Sequence, residues 1–179
     1  MKLSSSLSKS ESSPTFFARR CLLVNPLPEW KNRGWPRSCS VVVASVIEDW
    51  LARAKQTKEL SNLLLSDEER TGHLPKLVED LIARLRQSSA TGKDTDAAIS
   101  TSALAHGALR CRQGYTPAML VVESRILQVT LFGTLQSNLG FLDFSLLLPD
   151  VMTIADEVDA QLTQSMNSYM SAVPKEAAA

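Results

Sequence analysis

The sequence predicts an all-α fold, one helical domain behind a low-complexity N-terminal tail. Three observations lead there. Apolar residues recur three and four apart through successive segments from Val41 to about Ala172, the spacing of one helix face. No segment alternates apolar and polar residues for long enough to make a strand. Helix start and stop signals, Ser66 with Glu69, Gly114, and Thr116 with Pro117, punctuate the periodic segments. The expected division is a disordered or loosely packed tail over residues 1–40, a helical domain over 41–173 and a short tail over 174–179.

A chain of 179 residues, 44% of them apolar, is long enough for one domain with a core. Its formal net charge of zero hides an asymmetry: seven Lys or Arg stand against two Glu up to Ser40, and twelve basic against seventeen acidic residues follow. The domain is therefore acidic, with Lys and Arg scattered among carboxylates, which argues against nucleic-acid binding. Cys21, Cys39 and Cys111 are odd in number, without CxxC spacing or a neighbouring His. They read as reduced thiols of a cytosolic protein, with no metal site.

Near the start, the longest apolar run, Cys21 to Val24, is too short for a signal-peptide core. Ser and Arg enrichment leaves an organellar transit peptide open, with Glu11 counting against it. Ser137, Asn138 and Asp143 interrupt the longest apolar stretch, so none approaches the roughly 20 residues of a membrane helix. The expectation is a cytoplasmic protein without a membrane span.

Up to about Ser40, Pro26, Pro28, Gly34 and Pro36 crowd a segment with neither periodicity. Trp30 and Trp35 there either pack on the domain or reflect a misplaced start codon. Val43, Val46, Ile47, Trp50, Leu51 and Ala54 then share one arc, predicting a first helix to about Lys55. Ser66 and Glu69 form a capping box for a short helical turn. Pro75 suits a first turn, and Leu74, Leu77, Val78, Leu81, Ile82 and Leu85 form the next stripe. Gln87 to Asp94 reads as a polar loop, and Asp94 or Thr95 as the cap of a helix carrying Ile99, Ala103, Leu104, Leu109 and Cys111.

Gly114 ends that helix in the left-handed conformation, and Thr116–Pro117 restarts the chain as N-cap and N1. The helix to about Asn138 is apolar on more than half its circumference and is expected to be the most buried element, with Gly133 permitting a close crossing. Asp143 caps a last segment, where Pro149 marks either a kink or the true start. Its stripe is Val151, Ala155, Val158, Leu162, Met166 and Tyr169. Little chain remains after it, so the stripe is expected to pair with a second copy as a homodimer, the rival being packing within its own chain.

The short connection from Gln113 to Thr116 makes its flanking helices antiparallel neighbours. With Arg112 opposite Pro117, His106 stands opposite Glu123, and Arg110 is one turn from His106 on the same side. An inter-helix His106–Glu123 hydrogen bond with Arg110 nearby is expected. Either Glu123 satisfies a partly buried His106 and fixes the register, as ionic networks commonly do, or the cluster senses a proton or ligand.

Other chemistry finds less support. His73 and His106 as axial haem ligands lack an attachment motif. Cys111 lies five residues from His106, on a different side of the helix, and no third group orients a nucleophile. Asp156, Glu157 and Asp159 match neither a calcium loop nor a di-iron motif and read as a solvated face.

"WLARAKQTKELSNLLLSDEERTGHLPKLVEDLIARLR", "AHGALRCRQGYTPAMLVVESRILQVTLFGTLQ" and "LDFSLLLPDVMTIADEVDAQLTQSMNSYM" together resemble the N-terminal domain of RsbRD-type RsbT co-antagonist proteins, also found ahead of histidine-kinase cores. The resemblance runs from about Val41 to Ala172. Its most specific pieces are the HLP turn, the His-Gly…Arg-x-Arg-Gln-Gly-Tyr hairpin and the Glu-x-Arg after it. It implies a globin-like or bundle-like helical domain that binds no haem, pairs as a dimer and acts without catalysis as a sensory or regulatory module of bacterial stress or two-component signalling. Its partners would be a kinase, STAS or phosphatase protein. Unlike that architecture, no output domain follows before Ala179, so a freestanding module or a truncated product is expected. The resemblance supplies no ligand motif, catalytic residue or cofactor; His106, Arg110, Tyr115 and Glu123 are the candidate structural or sensing cluster. The alternative is a small-molecule or haem-binding globin-like sensor.

Overall fold

Side-chain periodicity has become helix throughout the described part of the chain. The computed structural model describes residues 40–91, 99–139 and 144–173. The tail up to residue 39, the proposed caps Asp94, Thr95 and Asp143, and residues 174–179 lie outside it. Among the described residues there is no strand, and the helices are α1 (Ser40–Gln56), α2 (Lys58–Ser61), α3 (Asp67–Thr71), α4 (Leu74–Thr91), α5 (Thr101–Arg112), α6 (Pro117–Ser137) and α7 (Phe144–Ala172).

The first half forms a scaffold around the α1–α4 connection. Val46, Trp50 and Ala54 of α1 are buried, and the Trp50 indole donates to the Glu123 carbonyl of α6 at 3.4 Å. The chain between α2 and α3 has few backbone hydrogen bonds of its own, and Arg70 supplies them: its guanidinium donates to the carbonyls of Leu60 (3.0 Å), Leu63 (2.5 Å) and Leu65 (3.2 Å). A buried cation thus stands in for a missing helix turn. The capping box is present, with the Glu69 amide 3.2 Å from Ser66 Oγ and the Ser66 amide 2.8 Å from Glu69 Oε2. In α4 the whole stripe from Leu74 to Leu85 is buried. The helix runs on to Thr91, into the expected polar loop, because no Gly or Pro interrupts it before Gly92.

Ser100, rather than Asp94 or Thr95, caps α5. Its hydroxyl accepts from the Ala103 amide at 2.9 Å and donates to Asp80 of α4 at 2.6 Å, while its own amide donates to Gln164 of α7 at 2.7 Å. The cap is therefore chosen by tertiary partners, and Ile99, placed on the apolar face by its periodicity, precedes the helix and is 81% exposed. Gly114 has φ 79°, and Thr116 and Pro117 take the N-cap and N1 positions of α6 as expected.

Helix α7 packs chiefly on α5 and also on α6 and α4. The close crossing falls at Gly107 of α5: a Cβ there would stand 1.9 Å from the Ser165 carbonyl oxygen. Gly133, expected to fill that role, would bring its Cβ only to 3.8 Å from the Arg53 guanidinium. Ser165 Oγ donates to the Ala103 carbonyl at 2.9 Å and Tyr169 Oη to the Tyr115 carbonyl at 2.7 Å, fixing the register of the pair. Pro149 lies inside α7, neither at its start nor beyond its end.

Three further expectations change. The stripe assigned to a dimer contact packs largely inside its own chain: Val158 and Tyr169 are buried, and Val151, Leu162 and Met166 lie partly buried against the core, with Ala155 half-buried. Among the described residues, the large apolar side chains that α7 exposes are Leu148, Met152 and Met170. Glu157 is not on a solvated face: it is 5% exposed and accepts from Arg84 of α4 at 3.0 Å, whereas Asp156, which meets the same guanidinium, and Asp159 are exposed as expected. Finally, α6 buries Leu120, Leu127, Leu131 and Leu135 yet leaves Val121 and Val129 exposed. With 21 residues and a mean hydropathy of 1.4, it is long and apolar enough by length and composition to cross a membrane, contrary to expectation, although core helices pass the same test.

The two glycines separate helix propensity from packing. Gly107→Ala is expected to destabilise the fold by about 1–3 kcal/mol through overpacking, despite the helix-propensity gain. Gly133→Ala, in open packing, is expected to stabilise it by about 0.5–1 kcal/mol. Urea denaturation of both variants checks the pair.

Candidate functional site

The α5–α6 hairpin does bring His106, Arg110, Tyr115 and Glu123 together, but with Arg110 at the centre. Arg110 is fully buried in the last turn of α5. Its Nε donates to Glu123 Oε2 at 3.0 Å and Oε1 at 3.2 Å, and its Nη2 also donates to Oε1. The Nη1 group reaches Gln113 Oε1 at 2.6 Å and the Glu69 carbonyl at 3.3 Å, while Nη2 reaches the Arg70 carbonyl at 2.8 Å. The Tyr115 ring lies under the guanidinium, its centroid 4.5 Å from the guanidinium carbon, a cation–π contact on a face that the in-plane hydrogen bonds leave free. One side chain thereby joins α3, α5 and α6.

His106 is oriented as its register implies, but its Nε2 stands 3.6 Å from Glu123 Oε2, too far for a hydrogen bond of normal strength. Arg110 makes the bond that the hairpin geometry assigned to His106. His73, weighed in the sequence only as a haem ligand, completes the cluster from the turn between α3 and α4. Its ring stacks on His106 with centroids 4.4 Å apart and planes 21° apart, and its Nε2 lies 3.7 Å from Glu123 Oε1. Arg110 Nη2 is 3.2 Å from that same Nε2. A guanidinium can only donate, so a hydrogen bond at this contact requires His73 Nε2 as the acceptor and the ring proton on Nδ1. The stacked rings cannot serve as two axial ligands of one haem iron, because those ligands approach from opposite faces of the macrocycle.

Burial by itself would raise the Glu123 carboxyl. The neighbouring His106, His73 and Arg110 outweigh it and hold that group down to about 2. Burial pushes His106 down to about 3 against the pull of Glu123, and burial also lowers His73. Burial, then the Glu123 charge, raises the Tyr115 hydroxyl to about 12. Near neutral pH the cluster is one ion pair flanked by two neutral imidazoles.

A groove of about 550 Å³ opens above the cluster, walled by Glu68, Lys76, Ser102 and Leu109 and touching both His73 and His106. Below it a cavity of about 20 Å³, the size of one water, borders His106, Glu123, Gln161 and Ser165. Cys111 is half-buried and packs against the core. What sequence reasoning missed, His73 and the carbonyls of Glu69 and Arg70, lies about 40 residues from Arg110 along the chain, beyond any helical period.

Fold and site define an all-α domain with a buried ionic cluster beneath a surface groove. A scan against models of known families finds no match to this chain. Searches of curated proteins and of solved structures likewise find none.

Arg110→Met and Glu123→Leu are each expected to cost about 3–5 kcal/mol by stranding a buried charge. The double variant is expected to recover most of that loss, so a double-mutant cycle in urea shows strong coupling; additive losses would contradict the pairing.

The same cluster sets an acid limit. Below pH 6.5 the unfolded chain protonates its histidines, while in the folded chain both are lowered and take up protons less readily. The unfolded state then binds more protons, so stability falls with pH, by about 2 kcal/mol for His106 alone at pH 5. The Glu123 contribution is present above its unfolded value of 4.5 and is lost as pH falls toward about 2. Urea midpoints measured between pH 7 and 5 should fall for wild type and fall less for His106→Gln.

Proposed function

We propose that the chain is a non-enzymatic sensory or regulatory interaction module of bacterial stress or two-component signalling, cytoplasmic, homodimeric and paired with a kinase, STAS or phosphatase protein. The resemblance to RsbRD-type N-terminal domains supplies the biological setting. The observation that carries the reading is the Arg110–Glu123 pair: one buried carboxylate and one guanidinium tie α3, α5 and α6 directly beneath a groove. An event at the groove floor reaches three helices at once through these bonds, which suits a module that changes shape rather than bonds.

The groove also favours a second reading, a small-molecule sensor. Its volume lies within the range of small-ligand sites, and its walls mix the apolar Leu109 with Lys76, Ser102 and Glu68.

The dimer is the part most readily tested. With much of the α7 stripe facing its own core, pairing falls to the residues that α7 exposes, Leu148 and Met152, one turn apart. Sedimentation at micromolar concentration is expected to give a dimer for wild type and a folded monomer for Leu148→Glu/Met152→Glu. A monomeric wild type would overturn the dimer.

A further inference from the structure

Two imidazoles converge on one carboxylate in this core. One ligand atom from each of His73, His106 and Glu123 lies within 4.8 Å of the others. Two imidazole nitrogens and a carboxylate oxygen make a donor set that zinc and related borderline divalent ions accept. Around a tetrahedral zinc such atoms stand about 3.3 Å apart, given bonds of about 2.0–2.1 Å. Here the His73 Nε2 stands 3.7 Å from Glu123 Oε1 and the His106 Nε2 3.6 Å from Glu123 Oε2, each within a few tenths of an ångström of that ligand separation, while the stacked rings, with planes 21° apart, must swing apart to aim both lone pairs at one ion. No spacing in the sequence announces the set, because its members come from the α3–α4 turn, α5 and α6.

A cation already stands among them. Arg110 Nη2 is 3.2 Å from His73 Nε2 and donates to Glu123 Oε1, and Arg110 Nε donates to both carboxylate oxygens. The single Nε2 lone pair of His73 cannot serve an N–H and a metal ion together. A metal beside the guanidinium would also set two positive charges against one buried carboxylate. The groove touching both rings gives a way in from solvent.

We propose that His73, His106 and Glu123 form a transition-metal cage whose cation position is held by the Arg110 guanidinium, so that an ion of the Zn²⁺ or Co²⁺ kind and Arg110 compete for one place. An ion that enters displaces Arg110 from Glu123, and with it the bonds to Gln113 and to the Glu69 and Arg70 carbonyls that hold α3 against α5. The inference rests on the cluster geometry and is independent of the signalling role.

The test is Co²⁺ titration of wild type, Arg110→Ala and Arg110→Met, followed by visible absorption and circular dichroism. Either folded variant is expected to bind one Co²⁺ more than about tenfold tighter than wild type, a difference of about 1.4 kcal/mol or more. Adding His73→Ala to that variant is expected to remove the ligand-field bands. Ethylguanidinium, refilling the Arg110 position of Arg110→Ala, is expected to displace the bound Co²⁺. A folded Arg110 variant that binds no tighter than wild type overturns the proposal, as does bound Co²⁺ indifferent to ethylguanidinium. Should both variants be unfolded alone, excess Co²⁺ is expected to restore their helical signal by mass action; persistent unfolding then counts against the cage.

Discussion

A buried carboxylate with no exposed side is tolerable only when something charged answers it, and in this chain the Arg110–Glu123 pair is that constraint. Glu123 sits on the core face of α6, at a position where the helix otherwise presents Leu120 and Leu127. Placing it there obliges α5 to carry a cation at matching height, which the four-residue connection and the left-handed Gly114 deliver. Satisfying the remaining guanidinium donors then requires the α3 terminus, because the carbonyls of Glu69 and Arg70 are the acceptors within reach. The position of α3 follows from this demand more than from its own packing, since of its five residues only Arg70 is buried.

Two arginines divide the work at that corner. Arg70 closes the chain between α2 and α3 on itself, and Arg110 fastens the result to the hairpin. Behind them the α5–α7 contact can be close because Gly107 has no side chain, and that closeness brings Ser165 and Tyr169 into hydrogen bonds with α5 and its following turn. A second buried ionic contact, Arg84 with Asp156 and Glu157, joins α4 to α7. The core is thus apolar in bulk but registered by a few charged side chains, each of which would be costly alone.

How much of this was legible in the sequence depended on distance along the chain. Helix α4, the Ser66–Glu69 box and the Thr116–Pro117 start follow from neighbours within four residues, and the structure has them. His106 opposite Glu123 was legible because a short turn fixes the height of everything that follows it. The stacking of His73 on His106, the primacy of Arg110 and the crossing at Gly107 were not, since each joins segments whose relative placement only the whole fold determines. Glu157 was read as solvated from its acidic neighbours, although its partner Arg84 lies 73 residues away. The α7 stripe carried the right period and an ambiguous address, because an apolar face looks the same whether its own chain or another covers it.

Native-state hydrogen exchange near neutral pH on wild type and Glu123→Gln tests the central claim most directly, since that substitution keeps the shape and removes the charge. The amides of Arg70 and Gly72, bonded at 3.0 and 2.8 Å to the carbonyls of Ser66 and Glu68, report on α3. If the ion pair holds α3 in place, both should lose protection in the variant while the Leu81 and Leu85 amides of α4 keep theirs. Unchanged protection in α3, or an equal loss in α3 and α4, would contradict it.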